Sequence, residues 1–363
     1  NDSRYDLSEE TRRGMSIRGA STEKWNEELI WGNPVNTSAQ LQQRILPCFK
    51  DKDWSHTSGP IPEVYPTFRM AELFYSQNGV PIEEDVNYDH PHRYQVVTVG
   101  DDHTYYIKKG ERTAYLNLYR EPRFYASVAY NGSVWHMLNA SAEDKEETNV
   151  PIFYYRDAQD GYKAGTNYLS TGIGIKKFVH PKDLADSEKS YDVSRVVQKY
   201  APDIRYAEIL LNYAEALNEV EGSYEIPSWN GETMYTITRS ATALKEGIQP
   251  IRIRAGLPDY EVYDDVKKFR FKVKRERQIE LFAEGHRFFD IRRWCDAPVE
   301  EALPIYGCNI YLTSENPDSF HTPIEVASLP TMFTTKMWFW PIHHNIMKRN
   351  MWMIQNPGWK DPE

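Results

Sequence analysis

Long apolar runs are missing from these 363 residues. No stretch of eighteen consecutive apolar side chains occurs, so no membrane-spanning helix is expected. Cysteine is scarce: Cys48, Cys295 and Cys308 are an odd number, and no C-x-x-C joins them. That supports neither a disulfide framework nor a zinc knuckle. Positive charge is in deficit, with 43 Lys and Arg against 53 Asp and Glu and a net charge of −10. The deficit argues against a nucleic-acid binder that works by neutralising phosphates. Catalytic signatures are also missing. There is no G-x-S-x-G elbow. GIGIKK (172–177) lacks the spacing and following helix of a phosphate loop and reads as a strand.

What is present is an ordinary soluble, globular composition, 26% charged and 40% hydrophobic. Aromatics stand out at 13%, with 25 Tyr and 10 Trp. Such amphipathic rings suit stacking surfaces as well as cores. Length allows two domains or one large one.

Along the chain, residues 33–66 read as Pro-rich loop. PTFRMAELFYSQNGVPI (66–82) reads as one short helix with Pro66 in its first turn and Asn78-Gly79 as its stop. PRFYASVAYNGSVW (122–135) alternates around Asn131-Gly132, which predicts a hairpin. In 204–220, Tyr206, Leu210, Tyr213, Leu217 and Val220 form one apolar stripe, and Ala207, Leu211 and Ala214 a second. Two stripes predict a helix covered on more than one side. Residues 221–240 read as an insertion loop, and a further helix ends at AGLP (255–258). Residues 264–294 read as one long helix.

That helix ends in RERQIELFAEGHRFFDIRRW (275–294), whose mixture of Glu, His, Asp and Arg raises the question of catalysis. Ile279, Phe282, His286 and Phe289 are spaced 3-4-3 on one face, so the stretch reads as a packing helix. Gly285 would then mark close approach of the 204–220 helix. Arg277, Glu280, Glu284 and Arg287 would pair at i,i+3 and i,i+4 along its edges, as would Asp290 with Arg293 or Arg287.

The blocks IRYAEILLNYAEALNEV (204–220), IRIRAGLP (251–258), RERQIELFAEGHRFFDIRRW (275–294) and WPIHHNIMKRNMWMIQNPGW (340–359) resemble the SusD/RagB family of outer-membrane nutrient-binding proteins. PTFRMAELFYSQNGVPI, EPRFYASVAYNGSVW (121–135) and TGIGIKKF (171–178) fall in the family's order upstream. The tail departs from the pattern, with PIHHNIMKRN where the family usually shows Pro-Ile-Pro and a Glu before the Asn. The resemblance implies a mainly α fold of tetratricopeptide-like helix pairs with a loop-rich, mixed α/β ligand-binding region. We expect that mixed region over 1–200 and a helical C-terminal region over 201–363. The family's N-terminal helix pairs, signal peptide and lipidated Cys are expected upstream of Asn1, so this chain is expected to be a C-terminal portion. The resemblance also implies a lipid-anchored protein on the cell surface of a Bacteroidetes-type bacterium, acting with a SusC-like TonB-dependent transporter. Its ligands would be oligosaccharides or, in the RagB-like branch, peptides. No catalysis is expected, and a glycoside hydrolase is the less favoured alternative.

A sugar ring offers an apolar C–H face to an aromatic ring and hydroxyls to polar neighbours. Loop aromatics beside polar residues are therefore the candidate ligand contacts: Trp54, Tyr88, Tyr105, Tyr106 and Trp135. Trp25, Trp294, Trp338 and Trp340 sit in apolar patterns and read as core. Adjacent His343 and His344 point to opposite faces of a strand and do not chelate one metal together. Asp101 and Asp102 are weak candidates for a structural calcium, because clustered carboxylates suit a hard cation. No other cofactor is expected.

Overall fold

The computed structural model describes residues 9–35, 38–47, 62–137, 151–165, 168–183, 199–326, 331–350 and 352–360. Its helices are α1 (Glu9–Thr22), α2 (Ser38–Gln43), α3 (Phe68–Leu73), α4 (Pro122–Ser127), α5 (Tyr206–Asn218), α6 (Ala241–Arg254), α7 (Val266–Glu280), α8 (His286–Arg293), α9 (Ala297–Glu300), α10 (Pro317–His321) and α11 (His344–Met347). The strands are short and include β1 (Leu29–Asn33), β2 (Val96–Thr98), β3 (Arg112–Ala114), β4 (Val128–Ala129), β5 (Ser133–Val134), β6 (Pro151–Ile152), β7 (Gly174–Ile175), β8 (Ala201–Arg205), β9 (Ser223–Pro227) and β10 (Met234–Thr238). They pair two by two, β1 with β8, β2 with β3, β4 with β7, β5 with β6 and β9 with β10, all antiparallel. The fold is mainly α. Two compact units divide the described residues, one within Asn1–Glu280 and Tyr306–Ile324, the other within Leu281–Ile305 and Glu325–Glu363.

In the first unit α5 packs on α6 and α7. It buries Ala207, Leu211, Ala214 and Leu217. The small-residue stripe is thus the core face, and Tyr206, Ile209 and Tyr213 are exposed. Small side chains win the interface because α6 comes very close. A Cβ on Gly247 would lie 2.8 Å from both Ala214 Cβ and Leu210 O. Leu244, Ile248 and Ile251 of α6 and Phe269, Val273 and Ile279 of α7 complete this core, each contributing about 1.5–3 kcal/mol by burial. Ser240 starts α6 by accepting from Ala243 N at 3.2 Å.

The two carboxylates of α7, Glu276 and Glu280, are buried in a network. Glu276 accepts from Arg123 at 2.6 Å, Arg252 at 3.2 Å and the Tyr260 hydroxyl at 2.9 Å. Glu280 accepts from Arg123 at 3.0 Å, Arg205 at 2.7 Å and Arg254 at 2.5 Å. Burial alone would raise the Glu280 carboxyl, but Arg254, Arg205, Arg123 and Lys177 hold it well below the usual carboxylate range. Four separate segments, ending in α4, β8, α6 and α7, are tied together at this point. The expected i,i+3 pair of Asp290 with Arg293 does form, at 2.9 Å.

Residues 264–294 are two helices, not one. α7 stops at Glu280, Ala283 and Gly285 take φ of +61° and +86°, and α8 begins at His286. A Cβ on Gly285 would meet nothing within 4 Å. Gly285 is therefore there for its left-handed backbone, and Gly247 is the glycine of close approach. Phe289, expected on the packed face, is largely exposed. α8 buries Asp290 and Ile291 instead.

Other expectations shift for local reasons. The 66–82 segment is helical only to Leu73, with Thr67 capping Met70 N at 3.2 Å. The buried Arg120 guanidinium then takes the carbonyls of Ala71 (2.6 Å) and Phe74 (2.7 Å). Residues 122–127 are helix α4, with Pro122 at its first turn. The Asn131-Gly132 turn exists, with Gly132 at φ +82°, but its flanking strands β4 and β5 pair with β7 and β6 and not with each other. The segment 221–240 is no loop but the exposed hairpin β9–β10. Trp25 and Trp340, expected in the core, are largely exposed. An apolar neighbourhood in sequence does not fix depth. Trp25 follows the end of α1 and meets Tyr200 edge-on at 4.7 Å.

Candidate ligand groove

The loop following β2 folds into a 3-10 turn at Asp101–His103. Asp101 pairs with Lys109 at 2.8 Å, and Asp102 lies 3.3 Å from His103 Nε2. Among the described residues no cluster of three or more His, Cys, Asp or Glu side chains is arranged to hold a metal ion.

Tyr105, Tyr106 and Trp135 come to one neighbourhood, because Ile107 bridges Ser133 and Val134 N donates to Tyr106 O at 2.9 Å. They are not equivalent there. Tyr105 is 42% exposed, and its carbonyl lies 2.8 Å from His136 Nε2. Tyr106 stacks flat on Tyr125, with ring centroids 3.7 Å apart. Burial pushes its hydroxyl up to about 12. Trp135 is 0% exposed and has no ring face towards solvent. Tyr88 lies apart, buried in a cluster with Ile82, Ala114 and Leu116. Its hydroxyl donates to Tyr115 O at 3.3 Å, and burial pushes it up to about 12. Trp54 lies outside the described residues.

Next to this neighbourhood is an open groove of about 480 Å³, a volume in the range of small-molecule sites. The start of β3 brings Arg112 and the residue before it, Glu111, to one wall, the segment after β6 brings Phe153, Tyr155 and Asp157, and the approach to α10 brings Ser314. Ile107 ties the two places together, since it packs within reach of Gly132, as does Phe153. The aromatic wall is braced from behind. Phe153 and Tyr155 lie nearly parallel, 13° apart, and Tyr155 packs on Phe320 at 4.6 Å. The polar groups are also held. Arg112 pairs with Asp318 at 2.8 Å. Asp157 accepts from Ser314 N at 2.9 Å and Oγ at 2.5 Å. The Ser314 hydroxyl holds its carboxyl below the usual range. Fixed donors and acceptors facing a braced aromatic wall are what a polyhydroxylated ligand with an apolar face needs.

Sequence reasoning missed Arg112, Phe153, Tyr155, Asp157 and Ser314. FYYRDAQDGY carried the signal, rings beside charge in a loop, but Ser314 is 157 positions from Asp157 and no local pattern joins them.

Comparison with solved structures gives the protein BT4246 at TM-score 0.72 and 24% identity, covering 99% of this chain and 56% of that one. It also gives a SusD-like protein, BF3747, from Bacteroides fragilis NCTC 9343, at TM-score 0.65 and 22% identity, covering 98% and 59%. The chain thus spans somewhat over half the length of the solved structures it matches. A comparison with curated proteins returns no match. The model of the SusD family matches residues 27–359, so almost the whole chain carries the family pattern, and the chain belongs to the SusD family.

Proposed function

We propose that this chain is the ligand-holding portion of a cell-surface glycan-binding protein. It captures oligosaccharides in the groove of Arg112, Phe153, Tyr155, Asp157 and Ser314 and passes them to a SusC-like TonB-dependent transporter in the outer membrane. The observation that carries this reading is family membership over 27–359 together with an open groove that has a braced aromatic wall and fixed polar groups. Phe153 stacks on the sugar, and Tyr105 and Tyr106 extend the platform beside it. Among the described residues no helix is long and apolar enough to cross a membrane, and a lipid anchor upstream of this chain provides the attachment. Binding and not catalysis is the role we infer: of the two groove carboxylates, Glu111 and Asp157, the second is committed to Ser314. In the acidic segment 83–89, whose charge would suit a basic peptide, Glu83 is already paired with Arg275.

Isothermal titration against panels of oligosaccharides and peptides tests this. Stacking contributes about 1 kcal/mol per ring beyond burial, so Phe153→Ala and Tyr105→Ala should each weaken glycan binding about fivefold. Binding to peptides alone would overturn the ligand class. Glycan binding unchanged in both variants would overturn the site. Release of reducing ends on incubation would overturn the non-catalytic role.

A further inference from the structure

Under α1 runs a narrow crevice of about 20 Å³, lined among others by Arg18, Tyr106, Tyr125, His136 and Lys176. That volume holds one species of about water size. Two of the lining side chains, Arg18 and Lys176, are cations that are each only 3% exposed. Lys176 Nζ donates to the carbonyls of Val134 (2.9 Å) and Tyr125 (3.3 Å), and among the described residues no carboxylate pairs with it. Arg18 gives its terminal nitrogens to the carbonyls of Trp135 (3.0 Å) and Val179, while its buried Nε has no partner. The nearby buried carboxylate, Asp183, already pairs with Lys199 at 3.3 Å. Arg18 feels that carboxylate only through space, and Lys176 feels the positive charge of Arg18 instead. Charges are seldom removed from water without a counter-charge. Burial accordingly lowers Arg18 to about 10 and Lys176 well below the ordinary lysine value.

We propose that this crevice is a binding site for a small monovalent anion of halide size, held by Lys176 Nζ and Arg18 Nε. The anion supplies the missing negative charge and fastens α1, through Arg18, to the segment that follows β7, through Lys176. Sulfate or phosphate, each with four oxygens, exceeds the room available. Tyr106 and Tyr125 form one wall, and the exposed Glu10 also contributes to the lining. This site shares Tyr106 with the proposed platform but no residue with the groove lining, and it does not rest on the glycan reading.

The test is thermal unfolding at fixed ionic strength, with sodium bromide exchanged stepwise for sodium gluconate. Bromide should raise the Tm of the chain saturably, by roughly 2 °C at ten times its dissociation constant, and gluconate should not. Lys176→Met keeps the length of the side chain and removes the charge, so the bromide shift should vanish. A shift that persists in the variant, or none in the wild type, overturns the site. Should Lys176→Met fail to fold, anomalous diffraction from wild-type crystals grown in bromide decides. A bromide peak within about 3.5 Å of Lys176 Nζ and Arg18 Nε is the expected result, and its absence overturns the proposal.

Discussion

Replacing Arg123 with Met is the sharpest test of the buried network. Arg123 is 2% exposed and its guanidinium donates to Glu121 at 2.7 Å, Glu276 at 2.6 Å and Glu280 at 3.0 Å. Met keeps the apolar stem and removes the charge. Glu276 would retain Arg252 and Tyr260, and Glu280 would retain Arg205 and Arg254. Glu121 would be left with the backbone N–H of Tyr75, at 3.0 Å. Removing one partner from a buried ion pair costs about 3–5 kcal/mol, and the orphaned Glu121 puts Arg123→Met near the top, about 5 kcal/mol. Glu280→Gln should cost less, about 3 kcal/mol, because no guanidinium is then without a carboxylate. Arg123 keeps Glu121 and Glu276, and Arg205 and Arg254 keep Glu28. Arg270→Ala breaks an exposed pair with Glu219 and should cost within about 0.5 kcal/mol.

Urea unfolding followed by circular dichroism at pH 7 gives the three values. The order Arg123→Met, then Glu280→Gln, then Arg270→Ala is the prediction. An Arg123→Met variant within about 1 kcal/mol of wild type, far below the expected loss, would refute the reasoning, as would one more stable than Glu280→Gln. Acid adds a second check. Burial already raises the Glu121 carboxyl, and without Arg123 it should rise further. A group raised in the folded state stabilises it below its unfolded pKa and loses that contribution as pH rises through its folded pKa. The deficit of Arg123→Met should therefore narrow as pH falls from 7 towards 4.5.

Two further predictions concern backbone space and a buried histidine. Gly247→Ala should cost about 1–3 kcal/mol, since the new methyl meets Ala214 and a backbone oxygen at 2.8 Å. Gly285→Ala should cost about 1–2 kcal/mol from its positive φ. Thermal unfolding of the Asn variants separates the two causes: Gly285→Asn should recover most of the loss, because Asn tolerates the left-handed region, and Gly247→Asn should fare worse than Ala. Burial lowers His321 to about 4, so between pH 6.5 and 4 the unfolded chain binds the extra proton. Stability should fall by about 3 kcal/mol across that window. NMR should show His321 not titrating above pH 5, and a His321 midpoint near 6.5 would contradict its burial.

Parts of this molecule can be read directly from residue spacing, and the parts that cannot share a cause. The α5 helix is legible because Ala207, Leu211 and Ala214 recur at helical spacing. Its orientation is not, because the tyrosines beside them follow the same period, and only the approach of Gly247 decides which stripe is buried. The hairpin β9–β10 had a signal. Tyr224 and Ile226 alternate with polar neighbours, as do Tyr235 and Ile237, and each faces a residue of the other pair in the register. A turn of Asn230 and Gly231 in a long polar stretch made the region read as loop. At Asn131-Gly132 the turn was legible and the pairing was not, because β6 and β7 arrive from later in the chain.

The same limit separates the charges of α7 from the groove residues. Glu276 and Glu280 stand four residues apart, a spacing that serves an exposed salt-bridged edge and a buried hub equally well. What distinguishes them is the arrival of Arg123, Arg205, Arg252 and Arg254 from three other segments. The groove is likewise assembled from β3, the segment after β6 and the approach to α10. Local periodicity records which face of an element is apolar. It does not record which distant segment comes to meet a polar side chain, and in this chain both the central ion network and the candidate site depend on such meetings. A polar sequence context was a poor guide to exposure for the same reason. Trp135 sits in a polar loop sequence, yet the chain after β5 carries it inward under Lys176, while Phe153, beside charge in FYYRDAQDGY, lines the groove.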